Sequence, residues 1–209
     1  ISGGQSNTAS AYFSTIGGGI SNVTSGNRST VAGGDTNTAS GCFSFVGGGN
    51  NNTASGYRAA IVGGLSNNAP GANTFIGGGV FHTACNTSTI SGGYQNTSSG
   101  TISAIGGGKG NIASGCFAFI GGGCASTSSG VYSFMGGGCG NVSSAGYSTV
   151  GGGGSNTASS QASTISGGRS NTVSGYASAI GGGYGNIVCA VYASTISGGY
   201  LNKNVSSDA

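Results

Sequence analysis

The sequence predicts an all-β fold: a parallel β-solenoid (β-roll) of about 14 coils, with 15 residues and two short strands per coil. Three observations carry this. First, an apolar residue stands at 1, 16, 31, 46, 61, 76, 90, 105, 120, 135, 150, 165, 180 and 196, and a Gly-Gly pair follows each one residue on. The step is 15 throughout, except 14 between Ile76 and Ile90 and 16 between Ile180 and Ile196. Second, Gly makes up 49 of 209 residues, far above the roughly 7% of average usage. A fixed period with this composition marks a stacked array rather than a linker, because disorder needs no register. Third, 15 residues are too few for a strand-helix unit, and no helical period shows.

Each repeat offers two strand-like pieces. In the third repeat they are Asn37-Thr38-Ala39-Ser40, closed by Gly41, and Phe43-Ser44-Phe45-Val46, closed by Gly47 and Gly48. Both combine β-branched or aromatic residues with glycine breakers. Strand alternation then assigns the faces. The Ile/Val/Met column, the Ser two residues before it (Ser14, Ser29, Ser44) and the Ala column (Ala9, Ala39, Ala54, Ala69, Ala113) point inward. Phe13, Arg28, Phe43, Arg58 and Tyr132 point outward, as do Thr15, Phe45, Phe75, Phe119 and Phe134. Arg in that column marks it as an outer one. The solenoid domain is expected over 1–201, with 202–209 a degenerate last repeat or tail.

The Gly-Gly pair suits a tight corner needing positive φ or close backbone approach. Six residues after the apolar position stands Asn, at Asn7, Asn22, Asn37, Asn52, Asn67, Asn96, Asn111, Asn141, Asn156, Asn171, Asn186 and Asn202, with His82 and Ser126 as substitutes. Two structural roles are open: an amide ladder from coil to coil, or a cap on each residue's own turn.

The pattern Asn-Thr-Ala-Ser-Gly-x-Tyr/Phe-Ser-Thr-Ile-Gly-Gly resembles the left-handed parallel β-roll repeat of trimeric autotransporter adhesin heads, and similar repeats of phage tail-fibre proteins. The likeness extends over essentially the whole chain. The family form, Ser-x-Ala-Ile-Gly followed by Ala-x-Gly, is slightly shorter, and here the added length falls in the Gly-Gly-Gly corner. The resemblance implies a trimeric, non-enzymatic surface or tail fibre.

Catalysis is not expected. The only acids are Asp35 and Asp208, so no carboxylate pair is available. His82 stands three residues before Cys85; a nucleophilic pair of this kind is conceivable, but a corner substitution in the single 14-residue coil is the plainer reading. No set of about four Cys or His ligands converges for zinc, so neither cofactor nor metal is expected. Arg28, Arg58, Lys109, Arg169 and Lys203 lie in different repeats and form no basic stripe for nucleic acid. No run of 18 apolar residues is present to span a membrane, and no signal-peptide pattern stands at the start. The chain opens on Ile1 in mid-repeat without Met, as a processed or excised piece of something longer would.

Of six cysteines, Cys124 and Cys139 occupy one position in successive coils. Strand spacing of about 4.8 Å lies within the Cα range of a disulfide, so a bond between them is expected. Cys42 and Cys116 share a column but lie five coils apart, too far for one bond, which leaves free thiols or pairing between chains open; the states of Cys85 and Cys189 stay open as well. Glycosylation sequons occur at Asn22, Asn27, Asn51, Asn86, Asn96, Asn141 and Asn204.

The expectation is therefore a non-enzymatic extracellular structural protein, on a cell surface, in a secreted fibre or on a virion. It would be a β-solenoid building block of a self-assembling filament, adhesin or tail fibre, about 67 Å long for 14 coils. The partner is the chain itself, as a homotrimer or head-to-tail filament, with a receptor or glycan on the outer surface a further candidate. Phe45, Phe75, Phe119 and Phe134 form the candidate assembly face. The alternative is an ice-binding solenoid that uses the Thr/Ser ladder beginning at Thr8 and Ser10, interrupted at Val23, Asn68, Ile112, Val142 and Ile187.

Overall fold

The structure is a computed structural model and describes residues 1–190 and 192–205. They fall into two compact units, Ile1–Ile102 and Ser103–Ala209. Each unit is a parallel β-solenoid, with about 13 turns in the two together and no helix among the described residues. Asp208 and the end of the predicted tail lie outside the described residues.

In the first unit one sheet runs Thr8–Ala9, Val23–Thr24, Thr38–Ala39, Thr53–Ala54, Asn68–Ala69, Thr83–Ala84 and Thr97–Ser98, each strand parallel to the next. The other runs Thr15–Ile16, Thr30–Val31, Phe45–Val46, Ala60–Ile61, Phe75–Ile76 and Thr89–Ile90. The second unit repeats the plan, from Ile112–Ala113 to Lys203–Asn204 in one sheet and from Ala104–Ile105 to Thr195–Ile196 in the other. Register follows the sequence period: Thr15 faces Thr30 and Ile16 faces Val31. A third contact row was not expected. The residue after the Gly corner bridges its equivalent in the next coil, as Ile20 does with Asp35 and Cys124 with Cys139.

Away from the ends the inward assignment holds, with one addition; at the ends Ile1 is exposed and Ala9, Ser14 and Ile196 are half-buried, because no further coil covers them. Ile16, Val31, Ile61, Ile76 and Met135 are fully buried, as are Ala39, Ala54 and Ser29. The Asn column is buried too, so the interior is Ile, Ala, Ser and Asn. Burial of the Ile column supplies the apolar drive, roughly 25 cal/mol per Å². Backbone hydrogen bonds between coils supply the register; Thr15 N–H donates to Ser29 O at 3.0 Å and Gly17 N–H to Val31 O at 3.0 Å.

The outward aromatics are placed differently from the expectation. Phe13, Arg28, Phe43, Arg58 and Tyr132 do not sit on alternating strand positions. They occupy left-handed turn positions with φ between 54° and 60°. A turn residue projects outward just as an alternating strand residue would, which is why alternation gave the right side for the wrong reason.

Both irregular coils adjust in this same turn. Ile76 still aligns with Ile90, and Thr83 with Thr97. The missing residue therefore falls between Ala84 and Ser88, where Asn86 (φ 51°) and Thr87 (φ 61°) are both left-handed. In the longer coil Ile180 aligns with Ile196 and Val188 with Asn204, so the added residue falls between Val188 and Thr195.

Candidate assembly faces and the asparagine column

The glycine corner leaves no room for a side chain. Gly19 has φ +93°, and a Cβ there would run into the Gly34 carbonyl of the next coil and come within 2.7 Å of Asn22 Nδ2. The Asn side chain fills the space this creates. Asn22 Nδ2 donates to Gly18 O in its own coil (3.1 Å) and to Gly34 O in the next (2.8 Å), and its Oδ1 accepts the Asn37 N–H (3.0 Å). Each amide thus caps its own corner and clamps the following coil. The two roles left open by the sequence coexist. Direct ladder contacts also occur, as from Asn52 Nδ2 to Asn37 Oδ1 at 3.1 Å. Asn37, Asn52, Asn67, Asn96, Asn111, Asn141, Asn156, Asn171 and Asn186 are all buried, whereas Asn7 is half-buried and Asn202 exposed.

His82 takes one place in this column. Its Nδ1 accepts the Asn96 N–H at 3.1 Å, so the ring acts there as the Asn Oδ1 does. Nε2, on the Gly93 side, makes no well-formed hydrogen bond. Burial pushes the imidazole below its ordinary value. With Nδ1 spent on the backbone and the ring wholly buried, His82 is placed as a corner residue, while Cys85 stands half-buried beyond the Thr83–Ala84 strand. Ser126 is the smaller substitute: its Oγ donates to Cys124 O at 3.2 Å and accepts the Asn141 N–H at 3.3 Å.

Cys124 and Cys139 are joined by a disulfide, with Cα atoms 4.6 Å apart. Cys42, Cys116 and Cys189 are exposed thiols, and Cys85 is a half-buried one. Among the described residues no group of three or more His, Cys, Asp or Glu could hold a metal ion. No cavity opens among them, and no helix is long and apolar enough to cross a membrane.

The candidate face of Phe45, Phe75, Phe119 and Phe134 is outward and about 40% exposed at each residue. It is not one unbroken column. In the first unit Phe45 and Phe75 flank Ala60. In the second, Phe119 and Phe134 are neighbours, their rings stacked at 5.6 Å. Beside that pair runs a longer stack in the left-handed turns: Phe117, Tyr132 and Tyr147, at 4.7 and 5.3 Å. In the first unit the same turns interleave charge with rings. The Arg28 guanidinium lies 5.6 Å from the Phe13 ring and 5.2 Å from Phe43. Tyr184 and Tyr200 stack at 5.5 Å in the third contact row. Phe117, Tyr147 and the Tyr184–Tyr200 pair were missed from sequence, although each stands at the same repeat position as an aromatic residue in the adjoining coil.

The remaining outward face is hydroxylated. Thr38-Ala39-Ser40 and its equivalents turn Ala inward and Thr and Ser outward. Ser114, Ser129, Ser144, Ser159 and Ser174 form an exposed rank through successive coils of the second unit.

No protein-family model matches this chain, and no curated protein matches it in sequence.

Proposed function

We propose that this chain is a non-enzymatic extracellular structural protein, a β-solenoid building block that associates with copies of itself in a filament, surface adhesin or tail fibre. One observation carries the reading: aromatic side chains stacked in register on the outer surface, Phe117–Tyr132–Tyr147 beside Phe119–Phe134, each about 40% or more exposed. Aromatic area held in water at this density is unfavourable, and a second copy would cover it. Lateral packing, as in the homotrimer that the adhesin resemblance implies, uses this surface directly; head-to-tail stacking would continue the backbone pairing instead. The Cys124–Cys139 disulfide fits an oxidising, extracellular setting. A receptor or glycan would meet the same outer columns. The double variant Phe119→Glu/Phe134→Glu tests the lateral contact. Light scattering should show its assembled mass falling toward the monomer, while Ser129→Glu on the hydroxyl face leaves the mass unchanged. Equal masses for all three chains would sink the lateral reading.

A second reading, ice binding, draws on the hydroxyl face. Its Ser rank is unbroken from Ser114 to Ser174 but interrupted at Pro70, Cys85 and Cys189, and Val23, Asn68, Ile112, Val142 and Ile187 break the Thr rank beside it. A thermal-hysteresis measurement separates the two: freezing-point depression abolished by Ser129→Glu would favour ice binding, and none at all would leave the structural reading alone.

A further inference from the structure

The sequons divide sharply by burial. Asn22, Asn96 and Asn141 belong to the buried column and are 0% exposed. The Asn22 amide uses both hydrogens, on Gly18 O and Gly34 O; Asn141 does the same on Gly137 O and Gly153 O, each at 3.0 Å. Asn96 donates to Gly92 O at 3.1 Å. Asn27, Asn51 and Asn86 instead stand exposed in turns. Asn51 Nδ2 donates to Ser66 Oγ and Asn86 Nδ2 to Ser99 O, which leaves one hydrogen of each amide outside these bonds. The sequon at Asn204 depends on Ser206, which lies outside the described residues.

We infer that Asn27, Asn51 and Asn86 are sites able to carry an N-linked oligosaccharide in the folded chain, and that the same modification at Asn22, Asn96 or Asn141 prevents the coils from closing. The donor is a lipid-pyrophosphate-linked oligosaccharide. A bond forms between Asn Nδ2 and the sugar C1, the C1–O bond to the lipid pyrophosphate breaks, and the amide proton leaves with the pyrophosphate. At Asn22 or Asn141 that removes one of two buried hydrogen bonds and sets a bulky polar group where a Cβ on the neighbouring glycine already has no room. At Asn51 and Asn86 the second hydrogen survives and the sugar faces water. Transfer acts on the chain as it emerges, before burial can protect the column.

The column itself supplies the control. Each buried sequon ends on the inward position next to Asn, at Thr24, Ser98 and Ser143, where Ala is the commonest residue. The variant Thr24→Ala/Ser98→Ala/Ser143→Ala keeps every Asn and removes all three acceptors. Both chains, placed behind a secretory signal, would be translated into microsomes that contain oligosaccharyltransferase, then separated into protease-resistant and protease-sensitive fractions and mapped for glycans by mass spectrometry. The expected result for the natural chain is a resistant fraction with glycans on Asn27, Asn51 and Asn86 only, and a larger sensitive fraction with glycans also on Asn22, Asn96 or Asn141. The triple variant should move most of the material into the resistant fraction. Resistant chains with a glycan on Asn22, Asn96 or Asn141 would overturn the inference. So would loss of resistance on modification of Asn27, Asn51 and Asn86, or no glycan at any of the six sites.

Discussion

Asn37 shows what one residue of the column contributes. Its side chain serves Gly33 O, Gly49 O and the Asn52 N–H. Asn37→Ala strands the buried Asn52 N–H, at a cost on the order of 1–3 kcal/mol, and takes an amide donor from Gly33 O and from Gly49 O, which keeps the Asp35 N–H at 2.9 Å. The variant should lose about 2 kcal/mol in urea unfolding, and Asn37→Ser less, since Ser126 already serves in one coil. His82 gives the column its one titration. Its unfolded value is 6.5, and its folded value lies lower because the ring is buried. Between the two, the unfolded chain holds a proton that the folded chain does not. The stability His82 contributes is therefore complete above pH 6.5 and is lost as pH falls from there through the lowered folded value. His82→Asn should flatten the stability profile between pH 7 and 5, and an unchanged slope would contradict the assignment. The sequence made the Asn column visible as a position, but not its bonds. Spacing says that amides stack, yet which carbonyl each reaches depends on the φ of glycines that leave no trace in a pattern of residue types.

At the scale of the coil, two elements differ in tolerance. The Gly corner is fixed by the amide clamp, and neither irregular coil changes its length there. The opposite turn absorbs both changes, although it holds a non-glycine left-handed residue in nearly every coil. Such a residue costs roughly 1–2 kcal/mol where nothing compensates. Ala177 is exposed at φ 48° with no ring to stack, so Ala177→Gly should stabilise the chain by about 1 kcal/mol in the same unfolding assay. Tyr132 occupies the equivalent turn between Phe117 and Tyr147, and Tyr132→Gly should show less gain because it gives up stacking. The Cys124–Cys139 bond closes a loop of 15 residues, worth about 3 kcal/mol in the chain-entropy account. Cys124→Ser/Cys139→Ser should lose about that much, and alkylation of both thiols in the unreduced natural chain would contradict the bond. The inward Ile column and this cysteine pair were legible because each repeats one position. The left-handed turns were not, since alternation and a turn place Phe13 and Arg28 on the same side. The third contact row was hidden because Ile20, Asp35 and Asn50 share no chemistry for a pattern to register.

For the whole molecule the question is what covers the outer aromatics. Within each unit the interior is small: one Ile-type residue per coil, with Ala, Ser and Asn around it. The larger apolar groups are outside, in columns that the period itself lines up. In the first unit Arg28 and Arg58 set charge against Phe13, Phe43 and Tyr57 by cation–π contact, whereas the stack from Phe117 to Tyr147 contains no such charge. Association is therefore expected through the second unit's aromatic columns. Sedimentation equilibrium of the unmodified chain across a wide concentration range tests this most directly. The account predicts a mass that is a multiple of the 19.6 kDa chain, or an open series of multiples, and that falls with Phe119→Glu/Phe134→Glu. A single soluble species at 19.6 kDa up to the highest concentration would contradict it.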